Sequence, residues 1–173
     1  MSLLSSRSPL APEQFPKLPL IEGLSLYTAK ACIKYPDRDD VLLIKFSPET
    51  KVAGVFTKSS TAAAPVEWSR SVAEKGRVRA LLVNSGNANA FTGAQGAKDV
   101  IDTAQFAASF IKCNVNEVLV ASTGVIGEPL PVANFEKAIT SISAKDETAA
   151  WNDAAYAITT TDTFAKGCAR KTR

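Results

Sequence analysis

Short apolar runs separated by turn-forming residues predict strands in the first third of the chain. Residues 39–46 and 51–57 are two such runs, and the Ser-Pro-Glu turn at 47–49 joins them. This arrangement predicts a β-hairpin. Residues 24–35 form a weaker strand candidate in front of the hairpin.

Two later segments, at 79–84 and 117–122, contain continuous apolar runs. Runs of this kind, without alternating polar residues, are typical of strands that are covered on both faces of a sheet. Each segment ends in a stretch rich in glycine and small polar residues. In both cases a predicted helix follows, so we expect a strand–loop–helix order twice.

Apolar residues at helical spacing predict four helices between and after these strands. The first spans 64–76, with a proline in its first turn and a glycine at its end. The second spans 94–112, the third 132–143, and the last begins near Asp146 as its N-cap. The residues expected to face the core are Ala97, Ile101, Ala104, Ala108 and Ile111 in the second helix, Val132, Phe135, Ile139 and Ile142 in the third, and Trp151, Ala155 and Ile158 in the last.

Strands that alternate with helices predict an α/β fold, a layered sandwich of sheet and helices. With 173 residues, the chain has the length of one domain. Residues 1–17, which contain several serines and prolines, are expected to form a flexible N-terminal arm. Residues 18–173 are expected to form a single domain.

Charge and hydropathy argue against two kinds of partner. The net charge is only +3, and no basic run is interleaved with aromatic residues, so we expect no nucleic-acid partner. No apolar stretch approaches the roughly 18 residues that span a bilayer, so we expect no membrane partner. The three isolated cysteines fit reduced thiols and a cytoplasmic location.

The absence of histidine restricts the chemistry most. It excludes Ser-His and Cys-His mechanisms within this chain, and three scattered cysteines argue against a zinc site. The spacing of a phosphate-binding P-loop is missing, and the segment GAQGAKD is a poor dinucleotide motif, so we expect no metal and no cofactor. A threonine nucleophile activated by its own α-amino group is the known solution without histidine.

The glycine-rich stretches after the two buried strands are the first candidate site. In NSGNANAFTG, Gly86 permits a positive φ. The asparagines of this stretch that offer amide donors to a cleft are Asn84, Asn87 and Asn89. In STGVIG, Thr123 places a hydroxyl beside the N–H of Gly124, a donor pair of the kind that an oxyanion hole requires.

Two interpretations of these stretches stay open. Ligands of α/β folds bind at the carboxyl ends of strands, which favours convergence of both stretches on one cleft. Alternatively, Gly and Asn only form the turns, and Ser or Thr only caps the following helix.

A third polar cluster follows the last predicted helix, in AITTTDTFAK at 157–166. Successive threonines resist the helix, because they are β-branched and their hydroxyls compete for backbone hydrogen bonds. The cluster either ends the helix in a solvated strand or turns its hydroxyls toward a cleft. In the second case Lys166 is available to meet a carboxylate.

Four segments occur in the order and spacing of the ornithine acetyltransferases, the bifunctional glutamate N-acetyltransferases of arginine biosynthesis. They are VAGVFTKS, VNSGNANAFTG, ASTGVIGEPL and AITTTDTFAK. The chain therefore resembles the bacterial members of that family, from about residue 18 to residue 166.

The resemblance implies the α-chain portion of such an enzyme. In that family the precursor cuts itself before a threonine, which opens the β chain, takes acetyl from N-acetylornithine and passes it to glutamate. The resemblance assigns the oxyanion hole to Thr123 and Gly124, and a substrate-binding threonine to Thr160 or Thr161. It also implies a β-chain partner and an α2β2 assembly, and it leaves open whether acetyl-CoA is a second donor.

The chain departs from the family pattern at three places. Thr159 stands where relatives usually carry Met, and Ala165 where they usually carry Pro, which concerns only local turn geometry. After Lys166 the Gly-rich segment with a substrate-binding lysine and the Ala-Thr cleavage site do not follow. We therefore expect less than a complete α chain, with the nucleophile outside it.

Two other functions stay open at this point. A non-catalytic module would use the same loops to hold an acetylated amino acid or a small carboxylate. An unrelated nucleotide-binding domain has only weak glycine spacing in its favour. Acetyl transfer in the presence of the β chain would distinguish the enzyme from the non-catalytic module. Tight binding of a nucleotide would identify the nucleotide-binding domain.

Overall fold

A computed structural model describes residues 7–143 and 148–171. Its sheet has the order β1-β2-β3-β4, with antiparallel β1/β2 and β2/β3 pairs and a parallel β3/β4 pair. The strands are β1 (Leu24–Ala29), β2 (Val41–Phe46), β3 (Ala80–Asn87) and β4 (Val118–Val125). The helices are α1 (Ala64–Ala73), α2 (Gly93–Ile111), α3 (Val132–Ser143) and α4 (Trp151–Ala157), and a 3₁₀ turn covers Val115–Glu117. The expected layered α/β fold is confirmed.

One face of the sheet is fully covered by helices. Leu43, Leu82 and Val118 point to this face and are almost completely buried. They belong to one apolar cluster with Phe135 of α3 and Ile111 of α2. Since side chains alternate between the two faces of a strand, the neighbouring residues must be covered from the other side.

The opposite face is covered in two different ways. Over β1 and β2, Leu26 and Leu42 pack against Ala154 and Ala157 of α4. Over β3 and β4, the irregular segment 52–56 borders an open groove of about 390 Å³. The sheet residues that line this groove are Leu81, Leu119, Val120, Ala121 and Ser122. Half of this face is therefore only loosely covered within the described residues.

Helix α1 closes the outer edge of β4. The indole nitrogen of Trp68 donates to the carbonyl of Val118 at 2.9 Å. The Ser69 hydroxyl donates to the carbonyl of Val120 at 2.7 Å and accepts from its N–H at 2.9 Å. Side chains thus take the place of a further strand, which satisfies backbone groups that an edge strand would leave unpaired.

The predicted hairpin of 39–46 and 51–57 is wrong. The first run forms β2, but the second has no strand beyond an isolated bridge between Lys51 and Arg77. The physical reason is that both edges of β2 are already paired, one with β1 and one with β3. Residues 52–57 have no edge of β2 left to join and cross the sheet face instead.

The predicted apolar stripe of α2 is partly wrong. Ala104, Ala108 and Ile111 are buried as expected, but Ala97 is exposed and Ile101 is 46% exposed. The buried face turns instead through Gly96, Val100, Thr103 and Ala107. The helix is so rich in alanine that adjacent stripes are almost equally apolar, and contact with the sheet selects between them.

The inward face of the last helix also differs from the prediction. Ala154 and Ala157 are buried, whereas Trp151 and Ala155 are half-buried and Ile158 is 39% exposed. Small residues allow this short helix to approach the sheet closely. The expected N-cap at Asp146 lies outside the described residues. In α3, Phe135, Ile139 and Ile142 are buried as predicted, whereas Val132, the first residue of the helix, is only half-buried.

Strands β3 and β4 both continue beyond their predicted ends. They run through Ser85–Asn87 and Thr123–Val125, the segments expected to be loops. Parallel pairing with each other supplies the backbone hydrogen bonds that hold them extended. None of the helices in the described ranges is long and apolar enough to cross a membrane.

Candidate active site

The two glycine-rich segments lie side by side at the carboxyl ends of β3 and β4. Ser85 is the register partner of Thr123, and Gly86 is the partner of Gly124. The register becomes irregular at Gly86 and Asn87, where Asn87 pairs with both Thr123 and Val125. Parallel pairing therefore brings the two predicted segments together, at the edge where α/β folds bind ligands.

Two glycines allow the strands to touch at this point. Gly124 has φ +138°, and a Cβ there would lie 2.3 Å from the carbonyl carbon of Gly86 and 2.5 Å from the nitrogen of Asn87. Gly86 has φ +107°, and its Cβ would lie 2.9 Å from the Cβ of Lys34. The backbones approach too closely for any side chain, so glycine is required at position 124.

Thr123 is half-buried beside this glycine contact. Unlike the Ser69 and Ser85 hydroxyls, its own hydroxyl forms no hydrogen bond with any described residue. Gly124 is exposed. A free hydroxyl beside exposed backbone can donate to the oxygen of a bound molecule.

The three asparagines use their amide groups to bind backbone carbonyls. Asn84 donates to the carbonyl of Asn87 at 2.8 Å, and Asn89 donates to that of Gly96 at 3.0 Å. Asn87 donates to the carbonyls of Glu128 and Pro129, at 3.1 and 3.2 Å. These bonds hold the turn after β3 in shape. Direct binding of a ligand by the asparagines stays a prediction.

A cavity of about 400 Å³ opens at the same strand ends. Its lining includes Gly86, Asn87 and Val125, with Lys34 and Glu128 on its wall. A small polar molecule fits such a space, and the two charged side chains can meet opposite charges on it.

The threonine cluster lies after α4, and hydrogen bonds connect it to β3 and to the loop between β1 and β2. The Ser85 hydroxyl donates to the carbonyl of Ala157 at 2.7 Å. The Tyr35 hydroxyl donates to the carbonyl of Thr160 at 3.4 Å. Thr160 is half-buried and Thr161 is exposed, and neither hydroxyl bonds to a described residue. No described hydrogen bond joins either threonine directly to Thr123 or Gly124.

Lys166 meets a carboxylate of its own chain. It forms an ion pair with Asp162, four residues earlier, and its ammonium lies 4.8 Å from the centre of the Phe164 ring. The hydrogen bond from Lys166 lowers the pKa of Asp162 below its ordinary value. Lys166 is therefore engaged within the turn in this structure.

Sequence reasoning missed a buried acid beside the site. Asp40 is fully buried and accepts hydrogen bonds from the N–H groups of Ala31 and Ile33, at 2.7 and 2.6 Å. Burial raises the pKa of Asp40, against the lowering effects of its backbone donors and of nearby Arg38. Asp40 fixes the turn that presents Lys34 to Gly86. In the sequence it stands in the charged run DRDD, which gives no indication of burial.

Comparison with known proteins identifies the same family over most of the chain. The model of the ArgJ family matches residues 25–173. An arginine biosynthesis bifunctional protein ArgJ from Bradyrhizobium diazoefficiens is 50% identical over 162 residues, which cover 94% of this chain and 39% of that protein. Its counterpart from Mesorhizobium japonicum is 48% identical over 159 residues. The chain spans about two fifths of the length of these relatives.

Solved structures agree with the sequence comparison. An ornithine acetyltransferase from Mycobacterium tuberculosis, complexed with ornithine, matches with a TM-score of 0.75 and 34% identity, over 82% of this chain and 77% of that chain. The arginine biosynthesis bifunctional protein ArgJ from Bacillus halodurans matches with a TM-score of 0.70 and 31% identity, over 82% of this chain and 74% of that chain. The resemblance seen in the four sequence segments is thereby confirmed, and the chain belongs to the ArgJ family.

Proposed function

We propose that this chain is the α-chain portion of an ornithine acetyltransferase. The enzyme transfers acetyl from N2-acetyl-L-ornithine to L-glutamate through an acyl-threonine intermediate, in arginine biosynthesis in the cytoplasm. Membership of the ArgJ family and the likeness to a solved ornithine acetyltransferase support this proposal. Acetyl-CoA is a candidate second donor for the same acyl-threonine.

The observation that carries the proposal is the free hydroxyl of Thr123 next to the glycine contact. It lies at the end of two parallel strands, beside a glycine that no other residue can replace. In the proposed role, the Thr123 hydroxyl and the Gly124 N–H donate to the oxygen of a tetrahedral intermediate. Such donors accelerate acyl transfer because they bind a charge that develops only in the transition state.

The reaction then needs few other groups from this chain. The threonine that opens the β chain attacks the acetyl carbonyl, and its own α-amino group takes the hydroxyl proton. The carbonyl oxygen becomes negative and is held by the oxyanion pair. Collapse of the intermediate breaks the amide bond, and the leaving ornithine nitrogen takes up a proton. The glutamate amine next attacks the acyl-threonine and restores the free hydroxyl. Thr160 or Thr161 holds the polar end of the substrate.

A β-chain partner also fits the uneven covering of the sheet. The groove beside 52–56 exposes apolar sheet residues that α4 does not reach. Leu119 is half-buried there and Ala121 is exposed. In the proposed α2β2 assembly the β chain covers this face and brings its nucleophile to the carboxyl ends of β3 and β4.

Replacement of Thr123 tests the proposal. In the complete enzyme, Thr123→Ala is expected to lower kcat by roughly 10²–10³-fold with little change in KM, the size seen when one oxyanion donor is removed. Thr123→Ser keeps the hydroxyl and is expected to retain most activity. Steady-state kinetics with N-acetylornithine and glutamate measure both variants. An unchanged kcat in Thr123→Ala would refute the oxyanion role. Substrate binding without turnover in the wild-type enzyme would favour the non-catalytic module.

A further inference from the structure

Arg38 holds the backbone at the end of α4. It lies in the loop between β1 and β2, and its Nη1 donates to the carbonyl of Tyr156 at 3.0 Å. It also donates to the hydroxyl and to the carbonyl of Thr159. The guanidinium thereby binds one carbonyl in the last turn of α4 and one carbonyl just beyond the end of the helix. The Tyr156 carbonyl also accepts from the N–H and the hydroxyl of Thr159, so Arg38 joins a hydrogen-bonded turn at this end of the helix.

Two aromatic rings lie against this guanidinium. Its central carbon lies 4.0 Å from the centre of the Tyr35 ring and 5.4 Å from that of the Tyr156 ring. Tyr35 in turn donates its hydroxyl to the carbonyl of Thr160. Stacking restricts the rotation of Arg38, so its donors keep a fixed direction toward the threonine segment.

The same guanidinium reaches the strand beside the proposed oxyanion pair. Its Nη2 lies 3.4 Å from the hydroxyl of Ser85, which itself donates to the carbonyl of Ala157. Ser85 is fully buried and is the register partner of Thr123. The Arg38 side chain therefore connects the threonine cluster to β3, the strand whose Ser85 pairs with Thr123.

Arg38 forms no ion pair with a described residue, although its charge acts to lower the pKa of Asp40. Within the described ranges, the salt bridges join other residues, and Arg38 donates only to carbonyls and hydroxyls. Lysine could not replace it, because its single ammonium nitrogen cannot reach the acceptors of both Thr159 and Ser85 while it lies against the two rings. The position thus requires the forked shape of the guanidinium, which a lysine ammonium of the same charge does not have.

We infer that Arg38 is a positioning residue that sets Thr160 and Thr161 at the correct separation from Thr123 and Gly124. The inference rests on the proposed function. Arg38 touches neither the substrate nor the reacting atoms in this role. It keeps the substrate-binding end of the site in register with the oxyanion end, through Thr159 on one side and Ser85 on the other.

The test uses the complete enzyme with its β chain. Arg38→Met keeps much of the stacking area and removes the donors, and it is expected to raise KM for N-acetylornithine about tenfold while kcat changes less than about threefold. Arg38→Lys is expected to show nearly the same defect. Arg77→Met is the control, since Arg77 is exposed and its side chain makes no described hydrogen bond.

A second readout does not depend on activity. Hydrogen–deuterium exchange of the peptide covering 157–162 is expected to become faster in Arg38→Met and unchanged in Arg77→Met. Thr159→Val removes a hydroxyl that accepts from Arg38 and also donates to the carbonyl of Tyr156, and it is expected to give a smaller increase. In the double variant the increase is expected to be less than the sum of the two single increases, because both substitutions break the Arg38–Thr159 link. If Arg38→Met does not form a complex with the β chain, the same measurements are made on Thr159→Val and Arg38→Lys.

The two readouts separate the possible failures. If the wild-type enzyme transfers no acetyl group, the proposed function is wrong, and the exchange experiment still decides whether Arg38 holds the segment. Unchanged exchange and unchanged KM in Arg38→Met and Arg38→Lys would overturn the inference. It would also be overturned if kcat fell while KM stayed constant, because that pattern belongs to a group acting in the transition state.

Discussion

A single methyl group at residue 124 is expected to disrupt the site. In Gly124→Ala the new Cβ would lie 2.3 Å from the carbonyl carbon of Gly86, on a backbone with φ +138° that L residues rarely adopt. Both strands would have to separate, and we expect a loss of about 4 kcal/mol or more in the free energy of unfolding. Denaturant unfolding of the assembled enzyme measures it.

Gly127→Ala is the matched control for this substitution. Gly127 also has a positive φ, +83°, but a Cβ there meets no atom within 4 Å. Only the backbone preference opposes alanine, at a cost of about 1–2 kcal/mol. If both variants lost the same small amount, the tight contact between Gly86 and Gly124 would not exist in solution.

The threonine pair after α4 can be separated by substitutions that keep the side-chain shape. Thr160→Val and Thr161→Val each remove one hydroxyl without a described partner. If one hydroxyl binds the polar end of the substrate, its removal is expected to raise KM several-fold, on the order of 1 kcal/mol, with kcat little changed. Steady-state kinetics decide between the two positions. Wild-type constants in both variants would make the cluster purely structural.

Asp40 makes stability depend on pH in the less common direction. Its pKa is raised by burial above the ordinary value of 3.8, so the unfolded chain releases this proton at a lower pH than the folded protein does. Its contribution to stability is therefore largest below pH 3.8 and falls as the pH rises toward the folded pKa. A carbon NMR titration of the carboxyl group measures the shift.

Asp162 is the internal control for that titration. Its pKa is lowered, chiefly by the hydrogen bond from Lys166, so the two carboxyl groups are expected to titrate on opposite sides of 3.8. Lys166→Met is expected to move the pKa of Asp162 up and to leave that of Asp40 in place. An Asp40 carboxyl that titrated below 3.8 would show that its backbone donors outweigh burial.

At the scale of elements, α1 is expected to stabilise the outer edge of β4 through one hydroxyl. Ser69→Ala leaves the N–H and the carbonyl of Val120 without their partner in a buried place. We expect a loss of about 1–3 kcal/mol in the free energy of unfolding. Ser71→Ala is the control, since Ser71 is exposed and bonds only within its own helix, to Trp68. Equal losses in both variants would contradict the role of Ser69.

Local patterns predicted most of the elements but not their partners. The apolar runs located β2, β3 and β4, and helical spacing located α1 to α3. The hairpin prediction was wrong because residues 51–57 compete with other strands for the edges of β2. Strands β1 and β3 occupy both of these edges, and β3 is distant in sequence. The predicted inward face of α2 was partly wrong, because nothing in its sequence pattern distinguishes Val100 from Ile101 as the inward residue.

The residues of the candidate site were also predictable only in part. The meeting of Ser85 and Thr123 follows from two buried strands that end alike, since parallel neighbours bring their carboxyl ends to one edge. Arg38 and Asp40 could not be predicted, because a run of charged residues looks like a solvated turn. The partner Thr159 of Arg38 lies 121 residues away in the chain.

At the scale of the whole molecule, residues 1–173 alone are expected to be inactive and prone to associate. The proposed reaction takes its nucleophile from the β chain, and the groove at Leu119 and Ala121 exposes apolar surface. Size-exclusion chromatography and an acetyl-transfer assay test both statements. A stable and active monomer would show that the nucleophile had been assigned to the wrong place.

A charge placed in the groove tests its role in assembly. Ala121 is exposed, so Ala121→Arg is expected to leave this chain folded and to weaken its association with the β chain at least tenfold, since an unpaired charge would be buried. Ala133→Arg, on an exposed position of α3, is the control. Co-purification of the two chains, followed by titration, measures the effect. Equal association in both variants would exclude the groove as the interface.

The two tryptophans of the sequence give this chain its own pair of optical reporters. The Trp68 indole binds the carbonyl of Val118, so its emission reports the docking of α1 on β4. The Trp151 indole binds the carbonyl of Pro19, so its emission reports whether the N-terminal segment lies against α4. Trp68→Phe and Trp151→Phe each leave one reporter. During unfolding, detachment of the N-terminal segment would shift the Trp151 emission to longer wavelength before that of Trp68, without any attached label.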